Sequence, residues 1–380
     1  MQELTERKII NLMGKFNIDG DYVGHRTFTS GLINTTELVV MLNQGTFKGY
    51  VLQKINKNVF KNPEEVMENI SKVTKFIRNK IKAKGEDASR RVMKFYKAED
   101  GKYFTVDENG DYWRLSKYIE RSKAYDSTND LNVLEETGKA FGEFQGMLND
   151  FPVEELNIII PHFHNTLDRY RQLEEAIAND YAGRRYEVEE DIETYLSLKK
   201  VATKLYEMQR QGVLPLRVTH NDTKCNNVLF EENDKTGKVE YLCAIDLDTI
   251  MPGLACYDFG DAVRFAANTC AEDEVNTDIV KLDMDKYEAL VKGFVATAGK
   301  SLTKEEIETL YLGAITMTVE CGSRFLADYL NGDTYFKTQY NKHNLVRARC
   351  QLALAEDMIA NRQEMKEIVM KYAKAYGVNV

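Results

Sequence analysis

Residues 219–230 read THNDTKCNNVLF. His220, Asn221, Asp222, Lys224, Asn226 and Asn227 crowd together and then give way to three apolar residues. A little further on, residues 244–249 read AIDLDT, where Asp246 and Asp248 follow a hydrophobic run. Polar groups set between buried strands are costly unless something satisfies them, so the run needs a purpose. Its residue types suit a definite chemistry. Asp222 can take up a proton, Asn227 and Asp246 can offer oxygen to a hard cation, and Lys224 can offset anionic charge. Turn capping explains any single Asp or Asn here. It does not explain the whole spaced set.

Working outward, VLFEE (228–232), the turn NDKTG and VEYLCAIDLD (239–248) give a hairpin signal. Strand alternation would put Asp246 and Asp248 on one face, so that one can bind a metal and the other assist or bind a second ion, and Asp246, directly after the buried run, is preferred as the ligand. Around this island, residues 128–150, 161–180, 187–212, 277–297, 303–331 and 343–376 carry helical periodicity. Before it, residues 22–58 alternate like paired strands, Pro63 opens a helix with Val66, Ile70, Val73 and Ile77 on one face, and RRVMKFYKA and DYWRLSKYIE read as further strands. The expected fold class is α+β: a small N-terminal lobe with an antiparallel sheet (residues 1–120) and a larger, mainly helical C-terminal lobe (121–380).

Composition narrows the function classes. The net charge of −9 argues against broad nucleic-acid or anionic-membrane binding. No stretch approaches the ~20 apolar residues of a membrane span, and MQELTERKII lacks a secretory-signal pattern. All six cysteines lie in the second half without a CxxC pair, which reads as reduced thiols in the cytoplasm.

Phosphoryl transfer asks little covalent chemistry of a protein: position a hydroxyl, accept its proton, neutralise charge on the moving group. The spacing His220-x-Asp222-x-Lys224-x-x-Asn227, followed by Asp246, is similar to the catalytic loop and metal aspartate of the protein-kinase-like superfamily. In the first lobe, SGLINTT, with Ser30, Gly31, Asn34 and Thr36, can lay backbone N–H groups and hydroxyls over phosphates. Lys54 matches the strand lysine of such folds, with Glu65 preferred over Glu68 as its helix partner. Glu320, Arg324 and Asp328 stand four apart, which fits either a solvated ion-pair ladder or a packed surface.

THNDTKCNNVLF together with IDLDTIMPGLACYDFGDAVRF resembles the aminoglycoside phosphotransferase and choline kinase superfamily, and within it the N-acetylhexosamine 1-kinases. SGLINTT, YVLQKINKNVFKNPEEVMENI, WRLSKYIE and GSRFLADYLNGDTYF extend the resemblance over most of the chain. It implies a bilobal kinase fold, ATP, Mg2+ and phosphorylation of the anomeric hydroxyl of GlcNAc or GalNAc. It assigns Asp222 as the base, Asn227 and Asp246 as metal ligands, and Tyr118, Ile119 and Glu120 as a hinge facing adenine. The acceptor pocket would draw on Asp222, Phe265, Arg324, Tyr335 and His25. The chain has Lys54 where that family often has an arginine. Other readings are a kinase for a different hydroxylated metabolite or an aminoglycoside, and an inactive nucleotide-binding module.

Overall fold

The computed structural model describes residues 4–28 and 34–380, so Ser30 and Gly31 lie outside the described residues. Thr5 caps a first helix, α1 (Glu6–Gly14), which the sequence pattern did not signal. Strands β1 (Asp21–Phe28), β2 (Thr35–Asn43) and β3 (Thr46–Lys54) follow in antiparallel sequence. Gln44 and Gly45 take φ of +48° and +77° between β2 and β3, the backbone a two-residue hairpin turn demands. Pro63 opens α2 (Pro63–Ala83), where its missing N–H costs nothing, and the helix buries Val66, Ile70, Val73 and Ile77 as one stripe. Strands β4 (Thr105–Val106) and β5 (Tyr112–Lys117) complete a sheet of order β1-β2-β3-β5-β4.

The expected strand at 90–98 is mostly irregular. It touches β5 through the Phe95–Ser116 bridge and bonds at Tyr96 and Lys117, while Arg90 and Arg91 reach away to Glu231 and Glu143. After β5, the N–H of Tyr118 bonds to the Gly49 carbonyl and its ring lies on Gly49, where a Cβ would come within 2.9 Å. Gly49 therefore admits Tyr118 to the sheet.

The C-terminal part is helical apart from short strand pairs. Its elements are α3 (Leu131–Met147), α4 (Thr166–Asn179), α5 (Glu189–Ser197), α6 (Lys199–Ala202), α7 (Lys204–Arg210), β6 (Arg217–Thr219), β7 (Val228–Glu232), β8 (Val239–Ala244), β9 (Met251–Gly253), α8 (Ala255–Ala266), α9 (Met284–Ala298), α10 (Lys304–Leu330), α11 (His343–Ala360) and α12 (Arg362–Ala375). β6 pairs with β9 and β7 with β8, both antiparallel.

Two long helical readings break into pieces. Residues 187–212 form α5, α6 and α7, interrupted at Leu198 and Thr203, and residues 343–376 divide at Asn361, whose side chain bonds to the Asp357 carbonyl. α8 went unseen in the sequence because Ala255 to Val263 are all buried, which leaves no polar face to mark a period. Its fit is tight: a Cβ on Gly260 would stand 2.3 Å from the Gly313 backbone. α8 and α10 thus meet backbone to backbone, and this contact fixes the residues α8 carries.

Candidate active site

The polar run forms the loop from β6 to β7, and α8 holds it from below. The Asp258 carboxylate accepts the backbone N–H of His220 (2.9 Å) and of Asn221 (2.8 Å), and the amide of Gln145 (2.7 Å). One turn on, Asp261 accepts the Thr223 N–H at 3.1 Å. His220 is fully buried, with its Nε2 2.8 Å from the Ile245 carbonyl and its ring edge-on to Phe141 and Phe144. Asn221 takes a left-handed φ of +62° and donates to the Thr249 carbonyl at 2.8 Å. These bonds satisfy the loop backbone inside the protein and leave Asp222 facing outward, its side chain 26% exposed.

Asp222 sits in a small charged group. Its Oδ2 accepts from Asn227 Nδ2 at 3.0 Å and lies 3.1 Å from Lys224 Nζ. The Asn227 amide, by donating, leaves its own oxygen for another partner. Burial works against the Lys224 ammonium, but the carboxylates of Asp222, Asp261 and Asp246 outweigh it and hold the Lys224 pKa above its usual range. The Ile245 N–H bonds to the Asn227 carbonyl at 2.8 Å, so the two candidate metal ligands are held side by side.

The expected strand-face pairing of Asp246 and Asp248 does not occur. β8 ends at Ala244, Asp246 turns to φ +57°, and Leu247–Thr249 form a short 3-10 turn, so alternation no longer applies. Both Asp248 oxygens are taken, one by the buried Arg114 guanidinium and one by Asn34 Nδ2 at 2.7 Å. Asp246 is different. Burial, then the nearby Asp248 and Asp222 carboxylates, push its pKa up to about 6 despite Arg114 and His220. Carboxylates crowded in this way, with an amide oxygen alongside, fit a hard divalent cation. No group of three or more His, Cys, Asp or Glu side chains suited to a metal stands among the described residues. Mg2+ needs only one or two carboxylates when phosphate oxygens and water complete its shell.

Lys54 is not brought to this group. Directly opposed residues of antiparallel strands share a face. Lys54 and Leu52 oppose Trp113 and Leu115, and Leu52, Trp113 and Leu115 pack with Ile9 and Leu12 of α1. Gln53 opposes Arg114 on the other face, toward Met67 of α2. Lys54 pairs with Asp111 at 2.8 Å instead of with Glu65, and Glu68 pairs with Lys72. Thr36 is on the Gln53 side, accepting from its amide at 3.1 Å. Of the residues expected at the hinge, Ile119 is buried with Leu242 and Cys243, next to the β7–β8 hairpin, and Glu120 is exposed with its carbonyl accepting from Arg90.

On the other flank, His164 links α10 to the loop: Nδ1 lies 2.9 Å from the Glu320 carboxylate and Nε2 lies 3.5 Å from the Asn221 carbonyl. Thr166 donates to the second Glu320 oxygen at 2.6 Å. Asp328 accepts the N–H groups of Thr334 (3.0 Å), Tyr335 (2.8 Å) and Phe336 (3.0 Å), and the amide of Asn344 (2.8 Å). Neither carboxylate braces Arg324, so the ion-pair ladder is absent. The guanidinium lies over the rings of Tyr335 and Phe336 and meets the Tyr335 hydroxyl at 3.4 Å. Gly322 of the same helix is set close against the Tyr195 hydroxyl, whereas Tyr335 is 71% exposed. Phe265 is half-buried at the end of α8, and His25, on the outer strand β1, bonds to Tyr22 at 2.6 Å and not to α10. A cavity of about 200 Å³ opens beside Asn221, lined by His164, Tyr257 and Met251 among others, and Asp222 and Asp246 are not in its wall.

Asp258, Asp261, His164 and Arg114 escaped the sequence reading, and Asp328, named there as a neighbour of Arg324, instead holds the 334–336 backbone. The first two had a signal, two acids three apart within the otherwise apolar ACYDFGDAV. His164 and Arg114 had none.

Residues 83–289 match the phosphotransferase enzyme family. The chain belongs to that family. It is similar in fold to a microcompartment-associated aminopropanol kinase (TM-score 0.62, 14% identity, 98% of this chain and 99% of that one). It is also similar to an aminoglycoside phosphotransferase from Alicyclobacillus acidocaldarius (0.61, 12%, 98% and 98%). A third likeness is to a spectinomycin phosphotransferase solved with ADP and spectinomycin (0.50, 13%, 98% and 99%). The fold is the protein-kinase-like fold of these phosphotransferases, an antiparallel sheet followed by a helical part. No helix of the described residues is long and apolar enough to cross a membrane.

Proposed function

We propose that this phosphotransferase uses ATP and Mg2+ to phosphorylate the anomeric hydroxyl of an N-acetylhexosamine, giving the 1-phosphate and ADP. The observation that carries the reading is the Asp222–Lys224–Asn227 group on a loop clamped by Asp258, with Asp246 beside it just beyond β8. In this reading the nucleotide lies between an N-terminal lobe (residues 1–120) and a C-terminal lobe (121–380), with Tyr118 to Glu120 at the hinge and Asn34 and Thr36 on the phosphate side. Asn227 and Asp246 would hold Mg2+, which when bound neutralises charge on the phosphates. Asp222 orients the acceptor hydroxyl and takes its proton as the oxygen bonds to the γ-phosphorus and the bond to ADP breaks. Lys224, kept charged by its acidic neighbours, offsets charge on the transferred group.

The sugar assignment rests on the sequence resemblance and is supported by the acceptor flank. Arg324 and Tyr335 offer donors there, and Glu320, the adjacent carboxylate on α10, is already tied to His164 and Thr166. That arrangement suits a neutral acceptor with hydroxyl and carbonyl oxygens better than an amine. ADP release measured over GlcNAc, GalNAc, choline, ethanolamine, aminopropanol and an aminoglycoside tests the proposal. Turnover on the hexosamines with phosphate on C1 is expected. Turnover confined to the amines would overturn the sugar, and no turnover on any acceptor would overturn the kinase.

A further inference from the structure

One buried cation of the N-terminal sheet reaches the segment that carries Asp246. Arg114 on β5 is 1% exposed, and its partner Asp248 is 3% exposed. The guanidinium works in two directions, Nη1 donating to Asp248 and Nε donating to Gln53 at 3.1 Å. Gln53 in turn donates to Thr36 at 3.1 Å. The second Asp248 oxygen receives Asn34, whose own oxygen accepts the Asn56 N–H at 3.0 Å. A single carboxylate two residues beyond Asp246 thus ties together the beginning of β2, the end of β3 and the middle of β5. The strand register carries the argument. Lys54, the residue that the sequence pattern puts forward, stands on the α1 face with Asp111, whereas Arg114 stands on the face that meets the Asp246 turn.

We propose that Arg114 is a positioning residue for the divalent-cation site: braced by Gln53, it holds Asp248 and so fixes the turn that presents Asp246, while Lys54 takes no part. The inference rests on the phosphotransferase reading above. Residues that orient metal ligands from behind affect affinity nearly as much as the ligands do, typically about 10- to 100-fold when mutated. Lysine is a poor replacement at this position, because an ammonium cannot donate from one plane to both Asp248 and Gln53.

The test is calorimetric titration of ADP, with Mg2+ and again with a chelator, into the wild type, Arg114→Lys, Asp248→Asn and Lys54→Met. Arg114→Lys and Asp248→Asn should weaken binding about 10- to 100-fold in Mg2+ and little in chelator. Lys54→Met should match the wild type in both. A merely structural role for Arg114 would weaken both titrations together, and that result overturns the proposal. Unchanged Mg2+-dependent binding in Arg114→Lys, or a loss in Lys54→Met, overturns it as well. Should Arg114→Lys fail to fold, Asp248→Asn and Lys54→Met decide by the same comparison. A wild type that binds no nucleotide would remove the phosphotransferase reading and this inference with it, an outcome distinct from selective failure among the variants.

Discussion

At Asp222, one carboxylate oxygen is shared between the Asn227 amide and the Lys224 ammonium, so the side chain stays in one orientation. Asp222→Asn keeps the shape and removes the base. Turnover should fall about 10²–10⁴-fold while the fold and nucleotide binding persist; a variant retaining more than half the wild-type kcat would exclude Asp222 as the base. Asp246 gives a prediction in pH. Its folded pKa of about 6 lies above the ordinary carboxyl value, so folding favours its protonated form. That stabilisation is complete below about pH 4 and is lost as pH rises through 6, leaving the metal-free wild type penalised by at most about 3 kcal/mol at neutral pH. Asp246→Asn escapes the penalty. Urea unfolding without Mg2+ should show its stability relative to wild type rising between pH 4 and 7, and a difference independent of pH would contradict the assignment. The proposed base and proposed metal ligands could be picked out of the sequence because such chemistry restricts residue type and spacing. Their supports were not, because the clamp on His220 and Asn221 comes from Asp258, nearly forty positions along the chain.

Element geometry explains what the sequence reading missed. In a strand, a shift of one residue moves a side chain to the opposite face. Lys54 and Gln53 therefore face different chemistry, and VLQK does not say which of them meets the site. α8 is buried from Ala255 to Val263, so no periodicity announced it, and only the pairing of two acids within an apolar run hinted at Asp258 and Asp261. In the α10 segment the i, i+4 spacing was real but the partners were not those on the helix: Asp328 folds the 333–336 loop back toward Arg324. Asp328→Ala would leave several buried donors without an acceptor, at about 1–3 kcal/mol for each one left unsatisfied. It should destabilise the protein and raise the acceptor KM, with the KM for Mg-ATP unchanged. Arg324→Lys, which keeps the charge but loses the planar fork, should raise the acceptor KM about ten- to a hundredfold at near-normal stability. Steady-state kinetics with thermal melts check both, and an unchanged acceptor KM in Arg324→Lys would remove Arg324 from the site.

At the scale of the whole molecule, an antiparallel sheet whose last strand ends at Lys117 precedes a helical body that begins at Leu131, and much of the order of elements was readable because turn residues and hydrophobic periods mark many boundaries. What the chain could not announce was how its two parts meet. The Arg114–Asp248 pair spans 134 positions, and an ion pair at that separation has no local signature. Such a pair, buried on both sides, is strongly destabilising to break from one side. The most direct test of the account is 31P and 1H NMR of the protein incubated with Mg-ATP and N-acetylglucosamine, beside a sample of Asp222→Asn. The expected products are ADP and a sugar phosphate whose phosphorus couples to the anomeric proton, with the variant slower by about 10²-fold or more. ATP consumed with phosphate on another sugar hydroxyl, or on an amine-bearing acceptor in place of the hexosamine, would contradict it.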